Sequence, residues 1–232
     1  MNVWITGASK GIGKAIAEES LREGHKVAAS ARDRALLDSI SVDTAHSDSL
    51  FRVPLDVSSF QNVNDAAQLI NEKLGSIDVL INNAGVTKFK PIPDTSIDEF
   101  NEIIDVNLKG VVYGVKAVLP HMEKQKNGWI INIISVTVNK IFTNSGAYAA
   151  SKAGVLALTN VLREEVRDQG IKVTSIVPGA TYTEMWPKGI REKYGERMMS
   201  PDDVAKLVVS MLHTPEKIML EEITLRPQSG DL

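Results

Sequence analysis

The chain has no cysteine, which excludes a disulfide framework, a thiolate metal site and a thiol nucleophile. Aromatic residues make up only 5% of it. Charge of one sign is equally scarce: 26 Lys and Arg stand against 29 Asp and Glu, a formal net charge of −3. Without a basic excess, neither nucleic acid nor an anionic membrane is the expected partner. No apolar run approaches the ~18 residues that would span a bilayer. The first residues, Met1-Asn2-Val3-Trp4-Ile5-Thr6-Gly7, carry no basic leader and no apolar signal core, so a cytoplasmic location is expected. No internal repeat is visible, and the most loop-like stretch, Ser41 to Ser49, is too short to link domains.

What is present is a chain of 232 residues, 43% hydrophobic and 24% charged. That suffices for one full core, so a single domain over residues 1–232 is expected. Short apolar runs alternate with longer segments of helical period, the sequence form of repeated βαβ units around a parallel sheet. Strands are expected near Val3-Trp4-Ile5, Val27-Ala28-Ala29, Leu50 to Val53, Val79-Leu80-Ile81, Trp129 to Ile134, Val173 to Val177 and Ile223-Thr224-Leu225. Their continuous hydrophobicity suits strands covered on both faces. Helices are expected at Gly11 to Glu23, Asp33 to Ile40, Phe60 to Leu74, Ile97 to Lys124, Ser145 to Gln169 and Pro201 to Leu212. The fold class is α/β, with a doubly wound sheet whose ligands lie beyond the carboxyl ends of the strands.

The segment after the first strand reads Thr6-Gly7-Ala8-Ser9-Lys10-Gly11-Ile12-Gly13. Its spacing is G-x-x-x-G-x-G rather than the usual dinucleotide fingerprint G-x-G-x-x-G. Gly7 permits a tight turn, while Gly11 and Gly13 let backbone approach a pyrophosphate and let the helix pack on the sheet. The helix start supplies amide donors and a positive dipole. The second strand ends Ala31-Arg32-Asp33-Arg34. No acid stands where a ribose hydroxyl would need one, and Arg32 and Lys10 offer two cations for a 2′-phosphate, so NADP(H) is the expected cofactor. Asp33, just before Arg34-Ala35-Leu36-Leu37, is read as a helix N-cap. The clustered carboxylates Asp94, Asp98 and Glu99 are likewise read as capping groups. The four histidines, His25, His46, His121 and His213, are scattered without ligand spacing, so no metal site is expected.

Tyr148 and Lys152 stand four residues apart, on one face of a helix. A cation so placed favours tyrosinate and lowers the phenol pKa, fitting Tyr148 for acid–base work. Thirteen residues earlier, the apolar run Ile130 to Ile134 ends in Ser135. Together with Asn82-Asn83-Ala84-Gly85 and Asn107, these residues resemble the pattern of the short-chain dehydrogenases/reductases from Asn2 to about Thr183.

That resemblance implies a Rossmann-like, doubly wound, seven-stranded parallel sheet flanked by helices on both faces. It makes Tyr148 the catalytic acid/base, Lys152 the residue that lowers its pKa and holds the nicotinamide ribose, and Ser135 the hydroxyl that polarises the substrate carbonyl. Asn107 would hold a water that contacts Lys152. Gly7, Ser9, Lys10, Gly11, Ile12 and Gly13 would bind the pyrophosphate region, Asp56 and Val57 the adenine, and Asn83, Ala84 and Gly85 the adenosine side. Pro178, Gly179, Thr181 and Thr183 would cover the nicotinamide, although Thr181 stands where the family commonly has an aliphatic residue. Thr137, Phe142 and Trp186 are expected near substrate. The loop from about 182 to 199, with Met185, Trp186, Ile190, Tyr194, Met198 and Met199, reads as a lid over an apolar substrate or as the packing of a small helix.

The resulting expectation is an NADP(H)-dependent oxidoreductase that interconverts a carbonyl and a secondary alcohol on a small or medium, partly apolar substrate. A 3-oxoacyl-thioester reductase is the alternative enzyme. The ending Glu221 to Leu232 lacks the Asp-Gly-Gly typical of that group. A non-catalytic dinucleotide sensor is the alternative of another class, and the intact Ser135, Tyr148, Lys152 and Asn107 argue against it. The resemblance also implies a homodimer, through the fourth and fifth expected helices, or a homotetramer.

Overall fold

The computed structural model of the chain describes residues 1–41 and 48–232. Most of the polar stretch Ser41 to Ser49, and His46 with it, lies outside the described residues. Seven parallel strands form one sheet in the order β3-β2-β1-β4-β5-β6-β7. They are β1 (Asn2–Thr6), β2 (Lys26–Ala31), β3 (Leu50–Pro54), β4 (Val79–Asn82), β5 (Gly128–Ile133), β6 (Ile171–Pro178) and β7 (Glu222–Leu225). All seven expected strands are present. The order reverses between β1 and β4, the switch point at which such sheets open a crevice.

Helices α1 (Gly11–Arg22), α2 (Arg34–Asp38), α3 (Phe60–Leu74), α4 (Ile97–Ile104), α5 (Gly110–Gln125), α6 (Gly146–Val166), α7 (Lys188–Tyr194) and α8 (Pro201–Met211) connect them. Alternate strand residues serve opposite faces. Trp4, Ala28, Leu80, Ile130 and Val173 pack with Val63 and Ile70 of α3, Val115 and Val118 of α5, and Val155 and Leu162 of α6. Their neighbours Val3, Ile5, Val27, Ile81 and Ile131 pack with Ile16 and Leu21 of α1 and Val204 and Val208 of α8. Both faces are therefore dry, as the continuous apolar runs required. Among the described residues no helix is long and apolar enough to cross a membrane.

Several polar side chains inside the sheet are paired with one another. The Trp4 indole donates to Ser30 Oγ at 2.9 Å and the Trp129 indole to Thr174 Oγ1 at 2.8 Å. Asn82 and Asn132 are register partners on β4 and β5. Asn82 Nδ2 donates to Asn132 Oδ1 at 2.9 Å, and Asn132 Nδ2 to Thr159 Oγ1 at 2.8 Å, which docks α6 on the sheet.

Several expected helices differ in extent. The Asp33 carboxylate accepts from Leu36 N at 3.2 Å, as a capping residue should, but α2 ends at Asp38 rather than Ile40. Ser96 and Glu99 form a capping box at α4, and Ser200 and Asp203 another at α8. The expected single helix from Ile97 to Lys124 is broken into α4 and α5 by a π-helical segment, Asp105–Lys109, centred on the fully buried Asn107. Ser145 to Gln169 resolves into α6 and a 3-10 turn, Arg167–Gln169. Within the loop at 182–199, Lys188–Tyr194 is indeed a small helix.

Candidate active site

A cleft of about 750 Å³ lies along the carboxyl ends of the strands. At its floor, Gly7 has φ +66° and Gly11 φ +56°, both in the left-handed region that favours glycine. A methyl group on Gly7 would stand 2.7 Å from Ala84 Cα, and one on Gly13 would collide with the Asn83 amide and the Gly7 carbonyl. Gly13 thus serves close packing of α1, whereas Gly7 sets the turn. The Asn83 side chain donates to the Thr6 and Gly7 carbonyls at 3.1 and 3.0 Å. Thr6 Oγ1 accepts from the Asn83 and Ala84 amides at 3.1 and 3.2 Å. These bonds lock the ends of β1 and β4 together, a role for Thr6 that only the pairing of the two strands reveals.

Helix α1 has no side-chain cap, whereas α2, α3, α4 and α8 each have one. Its first-turn amides have no side-chain partner, and an anion would suit them. Arg32 and Lys10 line the same end of the cleft. Nearby, Arg34 is held by Asp38 at 3.2 Å, and Arg52 donates to the Leu37 carbonyl at 3.1 Å. Arg32 and Lys10 have no ion pair among the described residues. Asp56, further along, accepts from the Ser58 amide and hydroxyl at 3.0 and 2.7 Å. Burial raises its pKa, but those bonds and the Arg32 charge outweigh it and hold the carboxyl below its ordinary value.

At the other end, Ser135 follows β5 and is 8% exposed, and Tyr148 and Lys152 reach the cleft from α6. Lys152 Nζ donates to the Ile133 carbonyl at 2.7 Å and lies 5.8 Å from the Tyr148 ring centroid. Burial pulls the Lys152 pKa down to about 8. Burial also pushes the Tyr148 phenol up to about 12, with the Ser135 hydroxyl pulling the other way. This corrects the expected lowering by Lys152. Spacing shows a cation one turn away, but desolvation of the phenolate dominates and weakens the cation itself.

Asn107, expected to hold a water that contacts Lys152, is fixed by its side chain. Its amide accepts from Val86 N at 2.8 Å and donates to the Val86 carbonyl and Ser151 Oγ at 2.9 and 3.0 Å. It borders the same spot as Lys152: a methyl group on Gly85 would stand 3.5 Å from Asn107 Oδ1 and 3.8 Å from Lys152 Nζ. The π-helical segment turns Asn107 inward toward the loop after β4, and such segments often mark functional sites.

The cleft wall includes Gly7, Ser9, Lys10, Ile12, Arg32, Asp56, Val57, Asn83, Ala84, Gly85, Ser135, Tyr148 and Lys152, with Pro178, Gly179, Thr181 and Thr183 on the covering segment. Thr137, Phe142 and Trp186 line the outer part. Gly11, Gly13 and Asn107 stand behind the wall, where their contacts shape it. Thr181 is 4% exposed and its hydroxyl donates to the Gly179 carbonyl at 3.1 Å, so its polarity is satisfied within the segment. Sequence reasoning missed Phe89, which stacks on Trp186 at 5.2 Å and 12° and joins the two banks of the cleft. A lone aromatic in a loop carries no periodic signal. The exposed charges Lys88, Glu102 and Glu184, also on the wall, were missed because a solvated charge looks the same in sequence wherever it stands.

Residues 1–193 match the sequence profile of the family described as short chain dehydrogenase. An uncharacterised oxidoreductase of Staphylococcus aureus (strain MRSA252) is 36% identical over 223 residues, covering 96% of this chain and 95% of the relative. The sepiapterin reductase of Chlorobaculum tepidum is 36% identical over 236 residues, covering 98% and 96%. Among solved structures, the closed form of a serine dehydrogenase complexed with NADP+ superposes with a TM-score of 0.93 at 28% identity, covering 100% of this chain and 97% of that one.

Proposed function

Because the chain belongs to the short-chain dehydrogenase family, we propose that it is an NADP(H)-dependent oxidoreductase interconverting a carbonyl and a secondary alcohol on a small or medium, partly apolar substrate. Residues 1–232 act as one domain, with 182–199 as its substrate loop. The observation that carries the reading is the convergence of Ser135, Tyr148 and Lys152 on one end of a cleft whose other end offers Lys10 and Arg32.

The residues fit the dinucleotide. The uncapped start of α1 and the bare backbone of Gly7 suit a pyrophosphate, and Lys10 and Arg32, without an ion pair among the described residues, suit a 2′-phosphate. The serine dehydrogenase neighbour carries the same cofactor. Pro178, Gly179, Thr181 and Thr183 would cover the nicotinamide.

Bound NADPH would supply the hydride. As negative charge develops on the substrate oxygen, Ser135 donates a hydrogen bond to it and Tyr148 gives up its proton. A phenol raised to about 12 is fully protonated near neutral pH, which suits the donor role in carbonyl reduction. Lys152, steered by the Ile133 carbonyl, holds a positive charge beside the tyrosinate that results. Trp186 and Phe89 close over the outer cleft and exclude water. We also assign a homodimer or homotetramer. The apolar side chains exposed on α4 and α6, Ile97, Phe100 and Val161, support this reading, and sedimentation tests it.

The test is NADPH consumption, followed by the near-ultraviolet absorbance of the reduced nicotinamide, with NADH in parallel. The panel holds diketones, aldehydes, keto esters, a 3-oxoacyl thioester and sepiapterin, with serine for the reverse direction. Turnover with NADPH and a clear preference within the panel supports the reading. Tight NADPH binding without turnover of any carbonyl would move it to a dinucleotide sensor.

A further inference from the structure

Three cations from three different segments converge on Asp231. Its Oδ2 accepts from Lys140 Nζ at 3.0 Å and from Arg226 Nη1. Its backbone carbonyl accepts from Arg197 Nη2 at 3.0 Å. The Asp231 side chain is only 5% exposed, unlike the surface pair Lys188–Glu192, at 83% and 65%, which solvent screens. A carboxylate that well shielded among cations holds its partners in place more firmly than an exposed one.

Each cation belongs to a segment that borders the outer cleft. Lys140 sits between the turn that follows Ser135 and Phe142, its ammonium 5.4 Å from the Phe142 ring centroid. Arg197 ends the turn after α7, on the return leg of the loop whose base is closed by Met199 N to the Ala180 carbonyl at 3.0 Å and Tyr182 N to the Met199 carbonyl at 2.9 Å. Arg226 follows Leu225, whose carbonyl accepts from Gly179 N at 2.7 Å. Phe142 and Gly179 line the cleft, as does Trp186 on the outgoing leg of the same loop.

We propose that Asp231 is a positioning residue that fastens both substrate walls of the cleft at once, the loop bearing Phe142 through Lys140 and the lid through Arg197. This rests on the reading of those two segments as substrate walls. The two arms are separable, because Lys140 is held by the side chain and Arg197 by the backbone carbonyl. Loosening either arm frees one wall, and removing the residue frees both.

Amide hydrogen exchange of the full-length protein, read peptide by peptide without substrate, tests this. Asp231→Asn should speed exchange across 139–145, Arg197→Gln should speed it across 182–199, and a chain ending at Gly230 should speed both, each by about tenfold. The turn at 7–13 should keep its rates. Unaltered exchange at 139–145 and 182–199 in the shortened chain would overturn the proposal. So would faster exchange spread evenly over the sheet. Because exchange is read without turnover, failure here is distinct from failure of the assigned reaction.

Discussion

Replacing Lys152 by methionine should separate stability from function. Lys152 is 4% exposed, and the one hydrogen bond of its ammonium among the described residues goes to the Ile133 carbonyl at 2.7 Å. Burial lowers its pKa from 10.5 to about 8, so the folded chain holds that proton less tightly than the unfolded chain, which costs about 3 kcal/mol near neutral pH. Between the two pKa values the unfolded chain binds more of the proton, so stability rises as pH rises through that window. The cost is complete below the folded value and gone above the unfolded one. Methionine has a similarly long, unbranched side chain and carries no such linkage. It forfeits the bond to Ile133, a loss of about 1–2 kcal/mol at every pH. The variant should therefore be about 1–2 kcal/mol more stable than the wild type near pH 7, an advantage that shrinks by about 2 kcal/mol by about pH 9.5. Urea unfolding of both proteins at the two pH values measures it. Turnover should be lost at both. A stability difference that does not change with pH would refute the buried, proton-depleted ammonium.

Tyr148→Phe should abolish turnover while leaving the Kd for NADPH nearly unchanged, because the ring and its packing remain, and near-normal activity would remove Tyr148 from the acid role. Arg32→Ala should raise the KM for NADPH about 10- to 100-fold, the loss of one charge-assisted hydrogen bond, and leave the KM for NADH alone; equal effects on both would show that Arg32 does not read a phosphate. Gly7→Ala should lower stability by about 1–3 kcal/mol and weaken NADPH binding, since its methyl meets Ala84 Cα at 2.7 Å in a backbone of positive φ; a thermal melt at the wild-type midpoint would contradict that crowding. Asn132→Ala should cost about 1–3 kcal/mol, because it strands the Asn82 amide in a dry core while the Thr159 hydroxyl keeps its bond to the Val155 carbonyl, and denaturant titration reads it.

The strands were legible because each is a short apolar run between turn residues, and the cap of α2 because Asp33 precedes its helix at the required distance. The cleft residues were legible through their place after strands, where an α/β sheet binds ligands. What stayed hidden depends on packing between distant segments. The π-helical segment at Asp105–Lys109 interrupts no apolar period, so Ile97 to Lys124 reads as one helix. The direction of the Tyr148 shift turns on burial, which an i,i+4 spacing does not encode. Phe89 gains meaning only against Trp186, and Asp231 only against cations from three segments.

The π-helical segment at Asn107 also fixes how this stretch of chain can change. The same residues wound as a regular helix, without the wide turn at 105–109, would rotate α4 against α5 by about 100°. Ile103, now fully buried, would swing away from its pocket, and the face of α4 that meets α6 would turn with it. Substitutions can accumulate along this helix, but at its present residue count the wide turn must persist, because it sets the angular phase between two independently packed halves.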